Sequence, residues 1–168
     1  MNKNLVLLGM MGVGKTTLGK IVARRTALKF IDTDAIIETK NAMTIQEIFK
    51  KKGEKFFRME EKKEILKLLK IKDCVIALGG GAFMDTDIRE NILKNEISVW
   101  LDVDIKTLVK RTERNRKRPL LRNENNKEKI NKIYLQRKNI YELAKYKITC
   151  NKLSKEDIVK KITELYEK

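Results

Sequence analysis

NLVLLGMMGVGKTTLGKIVARR, residues 4–25, decides how the rest of the chain is read. NLVLL (4–8) is an apolar run that ends in glycine, the mark of a buried strand. From Lys15 onward, Leu18, Ile21, Val22 and Ala23 recur at helical spacing, so a helix is expected over about 15–28. Between them, GMMGVGKT (9–16) satisfies the pattern G-x-x-x-x-G-K-[ST] at each fixed position, after a strand and before a helix. Such a loop curls backbone N–H groups of Gly12, Val13 and Gly14 around phosphates, and the helix N-terminus adds a favourable dipole. Lys15 is placed to reach the β- and γ-phosphates, Thr16 to offer a hydroxyl to Mg²⁺, and Thr17 to follow in the helix's first turn. The stretch predicts binding of a nucleoside triphosphate. It does not say what receives the phosphate, because unrelated activities share the same cradle.

Working outward, four more apolar segments read as strands: KFI (29–31), CVIAL (74–78), ISVWL (97–101) and YKITC (146–150). Helices are expected between them. Thr44 and Glu47 form a capping box that opens IQEIFKKK, Gly53 interrupts, and residues 54–70 continue as a second helix. Further helices are expected over 86–94, about 105–114 with Asp104 as cap, about 129–143, and after Ser154 and Asp157. Nearly all-apolar strands alternating with helices predict an α/β fold in three layers, a five-stranded parallel sheet covered on both faces. ERNRKRPLLRNENNKE (113–128) is polar, basic and holds the sole proline, the signature of a mobile loop. No linker divides the chain, so residues 1–168 are expected to form a single domain.

Composition narrows the function. At 168 residues with 42% apolar and 37% charged content, the chain is expected to be globular with a well-solvated surface. No apolar run approaches the roughly 20 residues that span a bilayer. The basic-then-apolar start stops at once in the glycine motif, so it reads as a first strand, and the protein is expected in the cytoplasm with no membrane partner. Cys74 and Cys150 lie in strand-like runs and read as small buried hydrophobes, not a disulfide. There is no histidine, so a general base must be a carboxylate or a lysine. The net charge of +16 raises nucleic acid as a partner. The lysines are scattered through every expected helix, however, which fits attraction of small anionic substrates better.

The second strand exits into IDTD (31–34). A D-x-D pair there sets Asp32 and Asp34 near one site beside the cradle, one to serve Mg²⁺ through water and the other to face a substrate hydroxyl. A plain turn is the alternative. CVIAL runs into Gly79-Gly80-Gly81, where three residues without side chains point to a close approach of something to the backbone.

In order along the chain, GMMGVGKTTLG (9–19), FIDTDAIIE (30–38), GEKFFRMEE (53–61), ALGGGAF (77–83), RPLL (118–121) and QRKNIY (136–141) resemble the shikimate kinase family. The resemblance covers essentially the whole chain. It implies a P-loop NTPase fold like that of nucleoside monophosphate kinases, with strand order 2-3-1-4-5, a substrate-binding segment over about 32–61 and a mobile lid over about 113–127. It implies transfer of the γ-phosphoryl of ATP to the 3-hydroxyl of shikimate, with Mg²⁺, by a monomer. By the resemblance, Arg58 and Arg137 hold the substrate carboxylate, a task suited to the guanidinium fork. Arg58 also has carboxylates at i−4 and i+3, Glu54 and Glu61, and Arg137 has the alternative of a solvated helix face. Asp34 matches the residue that holds the ring hydroxyls, by orienting them first and as a base second, and Asp32 the one linked to Mg²⁺ through water together with Thr16. Phe49 and Phe57 match contacts to the carbon ring, and core packing would look the same. Gly79, Gly80 and Gly81 match the loop against which the ring lies, with the Gly80 N–H donating to it. Arg118 matches a lid arginine that approaches the transferring group. Arg111 matches a residue that stacks on adenine, opposite Asn151–Ser154 and so Lys152, where NKLS departs from the family by lacking a proline. A gluconate kinase or nucleoside monophosphate kinase of the same fold is the alternative among enzymes, and an ATP-dependent switch on nucleic acid the alternative outside them.

Overall fold

A computed structural model describes residues 3–114 and 126–167. Five strands form one sheet: β1 (Leu5–Leu8), β2 (Lys29–Asp32), β3 (Cys74–Ala77), β4 (Ile97–Asp102) and β5 (Tyr146–Thr149). Their order is β2-β3-β1-β4-β5, and each pairing is parallel, as expected. The described helices are α1 (Lys15–Arg25), α2 (Thr33–Asn41), α3 (Ile45–Leu68), α4 (Thr86–Asn95), α5 (Ile105–Arg114), α6 (Asn126–Tyr141) and α7 (Lys155–Glu167). All residues of β1 and β3 are buried, because helices cover both faces of the middle of the sheet. The edge strands β2 and β5 carry exposed Lys29 and Lys147, charges that discourage further strand pairing.

Capping chemistry sets several helix starts as the sequence suggests. Thr44 and Glu47 make a complete capping box on α3. At α7, the Asp157 N–H donates to Ser154 Oγ (3.1 Å) while Ser154 donates back to the Asp157 carboxylate. Asp104 Oδ1 accepts from the Thr107 N–H at 2.8 Å. Gly53, with φ 82° and ψ 166°, interrupts the helical backbone within α3, so two helical segments meet there at a kink, as expected. One feature differs from expectation. Residues 33–41, with no helix assigned from sequence, form α2. Asp32 caps it, its Oδ1 accepting from the N–H groups of Asp34 (3.1 Å) and Ala35 (3.4 Å).

The main core lies on both sides of the sheet. A second, separate cluster of Ile37, Ile48 and Phe57, flanked by Phe49 and Phe56, joins α2 to α3. Each such buried side chain contributes roughly 1.5–3 kcal/mol. The α2–α3 pair thus has its own small core over the carboxyl ends of the strands. At the opposite end, the buried Glu96 carboxylate accepts from the Asn4 N–H and from Lys72 Nζ, both at 2.6 Å. Asn4 Oδ1 accepts from the Cys74 N–H at 3.0 Å, so this network pins the starts of β1, β3 and β4 in register. Cys74 and Cys150 are free and buried, and burial pushes the Cys150 thiol up to about 11. Among the described residues, no helix is long and apolar enough to cross a membrane.

Residues 115–125, the greater part of the expected lid, lie outside the described residues, and Arg118 with them.

Candidate active site

Parallel strands deliver their carboxyl ends to one side of the sheet, and the loops that leave β1, β2 and β3 there build the site. The β1 loop is shaped by glycines that no other residue replaces. Gly9, Gly12 and Gly14 have φ of 137°, 81° and 103°. A Cβ on Gly9 would also stand 2.6 Å from the Leu101 carbonyl. Gly14 precedes α1 and supplies no side-chain cap, which leaves first-turn N–H groups for an anion. Lys15 Nζ donates to the carbonyls of Gly9 (2.8 Å) and Met10 (3.0 Å), so its charge lies inside the curl of the loop. Thr16 Oγ1 donates to Asp32 Oδ2 at 2.7 Å. Asp32 therefore does two jobs, one oxygen on the α2 N-terminus and the other on Thr16. No cluster of three or more His, Cys, Asp or Glu side chains forms a metal cage among the described residues. Thr16 and Asp32 make a sparse oxygen donor set, which suits a hard cation that also takes phosphate and water oxygens.

The loop after β3 carries the glycine run. Thr33 Oγ1, buried behind it, accepts from the Gly79 N–H at 2.9 Å. A Cβ on Gly79 would stand 2.6 Å from Asp34 Oδ1 and 2.9 Å from Glu61 Oε1. A Cβ on Gly81 would stand 2.6 Å from Arg58 Nη1. At Gly80 the nearest atom, Arg137 Nη1, would be at 3.5 Å, an ordinary contact. None of the three adopts a positive φ. A Cβ at Gly79 or Gly81 would therefore push aside the charged ends of Asp34, Glu61 or Arg58, a consequence the sequence alone does not reveal.

Those side chains come from three elements. From α3, Arg58 Nη1 donates to Glu61 at 2.7 Å and Nη2 to Glu54 at 3.4 Å, the pairing its i−4 and i+3 neighbours suggest. Its guanidinium also lies over the Phe57 ring, 5.1 Å from the centroid. From α6, Arg137 Nη1 donates to the Gly80 carbonyl at 2.9 Å. From α2 comes Asp34. Burial pushes the Glu61 carboxyl above its ordinary value, Arg58 opposes that, and neighbouring Asp34 adds to it. The site thus brings together Lys15, Thr16 and Asp32 on one side, and Asp34, Arg58, Arg137 and Gly79–Gly81 on the other.

The remaining candidates divide. Phe57 is only 4% exposed and packs on Phe49, with ring centroids 4.8 Å apart, so it is a core residue of the α2–α3 cluster. Phe49 is partly buried beside it. Arg111 Nη1 donates to the carbonyl of Val13 at 3.2 Å and so reaches the phosphate loop from α5. Lys152 is exposed in the turn after β5. Next to it, Asn151 Oδ1 accepts from the Asp104 N–H at 2.8 Å. Sequence reasoning missed Thr33 and Tyr141, and saw Glu61 only as a partner of Arg58. Tyr141 is buried and donates to the Gly80 carbonyl. Glu61 and Tyr141 lie inside the quoted motifs, but nothing local marks their long-range contacts.

Comparison with known proteins agrees with this geometry. A family model described as shikimate kinase matches residues 11–167. A shikimate kinase from Bartonella henselae is 44% identical over 161 residues, 96% of this chain and 77% of that protein. The structure of a shikimate kinase from Acinetobacter baumannii in complex with shikimate superposes with a TM-score of 0.92 at 36% identity, covering 99% of this chain and 94% of that one. A gluconokinase from Sinorhizobium meliloti reaches a TM-score of 0.58 at 14% identity, covering 99% of this chain and 92% of that one, a likeness of fold alone.

Proposed function

This chain belongs to the shikimate kinase family, and from that premise we propose how its residues transfer the γ-phosphoryl group of ATP to the 3-hydroxyl of shikimate. The products are shikimate 3-phosphate and ADP, a step toward chorismate and the aromatic amino acids. The loop of Gly12, Val13, Gly14 and Lys15, with Thr16 and Thr17, holds the triphosphate. Arg111 and Lys152 attend the nucleotide. Thr16, and Asp32 through water, would hold Mg²⁺, which supplies charge neutralisation at the phosphates. On the other side, Arg58 and Arg137 take the shikimate carboxylate, and the glycine run lies along the ring with Phe49 at its apolar edge.

With the carboxylate fixed, Asp34 orients the 3-hydroxyl toward the phosphorus. The hydroxyl oxygen forms the new bond to the γ-phosphorus, the bond to the β–γ bridging oxygen breaks, and ADP leaves. The hydroxyl proton passes to Asp34 or to the transferred phosphoryl oxygens. In a loose transition state positioning matters more than a strong base, so orientation is the first task of Asp34. Lys15 and Arg118 balance charge on the transferring group. Residues 1–168 work as one domain, with a substrate segment over about 32–61 and a lid over about 113–127. We place the enzyme in the cytoplasm as a monomer with no nucleic-acid or membrane partner.

The observation that carries this reading is the pair of arginines set against one glycine run, facing the loop that holds Lys15. The test is ADP release from Mg-ATP with shikimate, gluconate, AMP or no acceptor. Release that requires shikimate and stops on chelation of the metal is expected. Release with gluconate or AMP instead would keep the cradle and overturn the acceptor roles.

A further inference from the structure

We propose that Tyr141 is a positioning residue for the acceptor half of the site, holding the Gly80 carbonyl together with Arg137 and so aiming the Gly80–Gly81 peptide. The inference rests on the reading of Arg137 and the glycine run as the acceptor site. Tyr141 stands one turn after Arg137 on α6, so both side chains leave the same helix face. Both donate to one acceptor, and a carbonyl oxygen has two lone pairs to receive them. The peptide is planar and trans, so fixing the Gly80 oxygen toward α6 turns the Gly81 N–H the opposite way.

A run of three glycines has no side chains of its own to hold it, and its peptides swivel easily. The carbonyls of Gly79 and Gly81 are tied by the turn that follows, accepting from the N–H groups of Ala82 and Met84 at 3.1 Å each. Among the described residues, the middle carbonyl alone is held from outside the turn, by α6. Tyr141 is itself fixed, fully buried with its ring 5.9 Å from that of Trp100. Burial pushes its phenol above the ordinary value, with Arg137 opposing, so it stays protonated and donates. Arg137 has five N–H donors, of which it uses some on the Gly80 carbonyl and on the Tyr141 hydroxyl, leaving others to turn outward. As it turns its fork toward a carboxylate, Tyr141 keeps the carbonyl in place.

Docking of α6 is the competing role, and Tyr134 provides the comparison. It lies two turns earlier and donates to Asp102 at 3.0 Å, away from the glycine run. Tyr141→Phe keeps the ring and its packing on Trp100 and removes only the hydroxyl. It is expected to raise KM for shikimate about three- to tenfold, the scale of one lost hydrogen bond, with KM for ATP unchanged and kcat altered less. Tyr134→Phe is expected to leave KM for shikimate unchanged. A lower melting temperature for Tyr141→Phe with unchanged KM for shikimate, assayed below that temperature, would overturn the proposal. An equal rise in both variants would do the same. Arg137→Ala separates the two readings. If it leaves KM for shikimate unchanged, the acceptor site itself is wrong. If it raises KM while Tyr141→Phe does not, only the role of Tyr141 falls.

Discussion

Glu61 governs how firmly Arg58 is held. Its ionised carboxylate grips the guanidinium at 2.7 Å, yet burial raises its pKa, so it takes up a proton more readily in the folded chain than in the unfolded one. Two consequences have opposite signs. For function, KM for shikimate should rise as pH falls through the folded pKa of Glu61, and Glu61→Gln should raise KM at neutral pH and remove that acidic limb. For stability, a raised carboxyl favours the fold below its unfolded pKa and loses that contribution as pH rises through its folded pKa. Glu61→Gln should therefore hold or raise the melting temperature at neutral pH. A KM for shikimate that stays flat as pH falls through the acidic range, or an acidic limb that Glu61→Gln leaves unchanged, would contradict this. At the phosphate loop, Lys15→Ala should lower kcat roughly a hundredfold or more with the circular dichroism spectrum retained. Near-normal turnover would remove Lys15 from the chemistry.

Among elements, α3 matters most, because it carries Arg58 and Glu61 past a bend. Gly53 sits at φ 82° and ψ 166°, a region essentially closed to residues with a Cβ. Nothing lies within 4 Å of where its Cβ would be, so any cost of Gly53→Ala is backbone strain, not a clash. That variant should lose about 1–3 kcal/mol or straighten α3 and shift Arg58. Denaturant unfolding and KM for shikimate together report which, and a variant unchanged in both would show the bend to be idle. The helix caps add a pH term. The Thr44 and Thr107 N–H groups and the Ser154 hydroxyl lower the pKa values of Glu47, Asp104 and Asp157 respectively. Their stabilisation is complete above the ordinary carboxylate range and fades as pH drops through it, so melting temperature should fall on acidification. Asp104→Asn should flatten that fall. These caps were legible because each is a local pattern of three or four residues, and the five strands were legible because each is a short apolar run. Helix α2 was not, since only Thr33 and Ile37 of its nine residues are buried and its periodicity is faint. Lys15 was legible from the phosphate-loop pattern, and Arg58 and Arg137 from the resemblance to the family. The contact of Tyr141 with Gly80 spans 61 residues, which no local pattern encodes.

For the molecule as a whole, the charge of +16 should draw anionic substrates before they dock. Raising ionic strength from about 0.01 M to about 0.15 M shortens the screening length from about 30 Å to about 8 Å. Over that range kcat/KM should fall while kcat holds, and a flat kcat/KM would show that the charge has no part in capture. The order β2-β3-β1-β4-β5 carries a different consequence. The first of these five strands in sequence is the middle strand, and its neighbours are β3, ending at Ala77, and β4, ending at Asp102. Every pairing of β1 must wait for chain synthesised long after it, and such distant pairings form slowly. Chains truncated before β4 should therefore remain protease-sensitive, since β1 then lacks one of the two strands it pairs with. The loop that follows β1 takes shape only once two strands from far along the sequence have closed on either side of it.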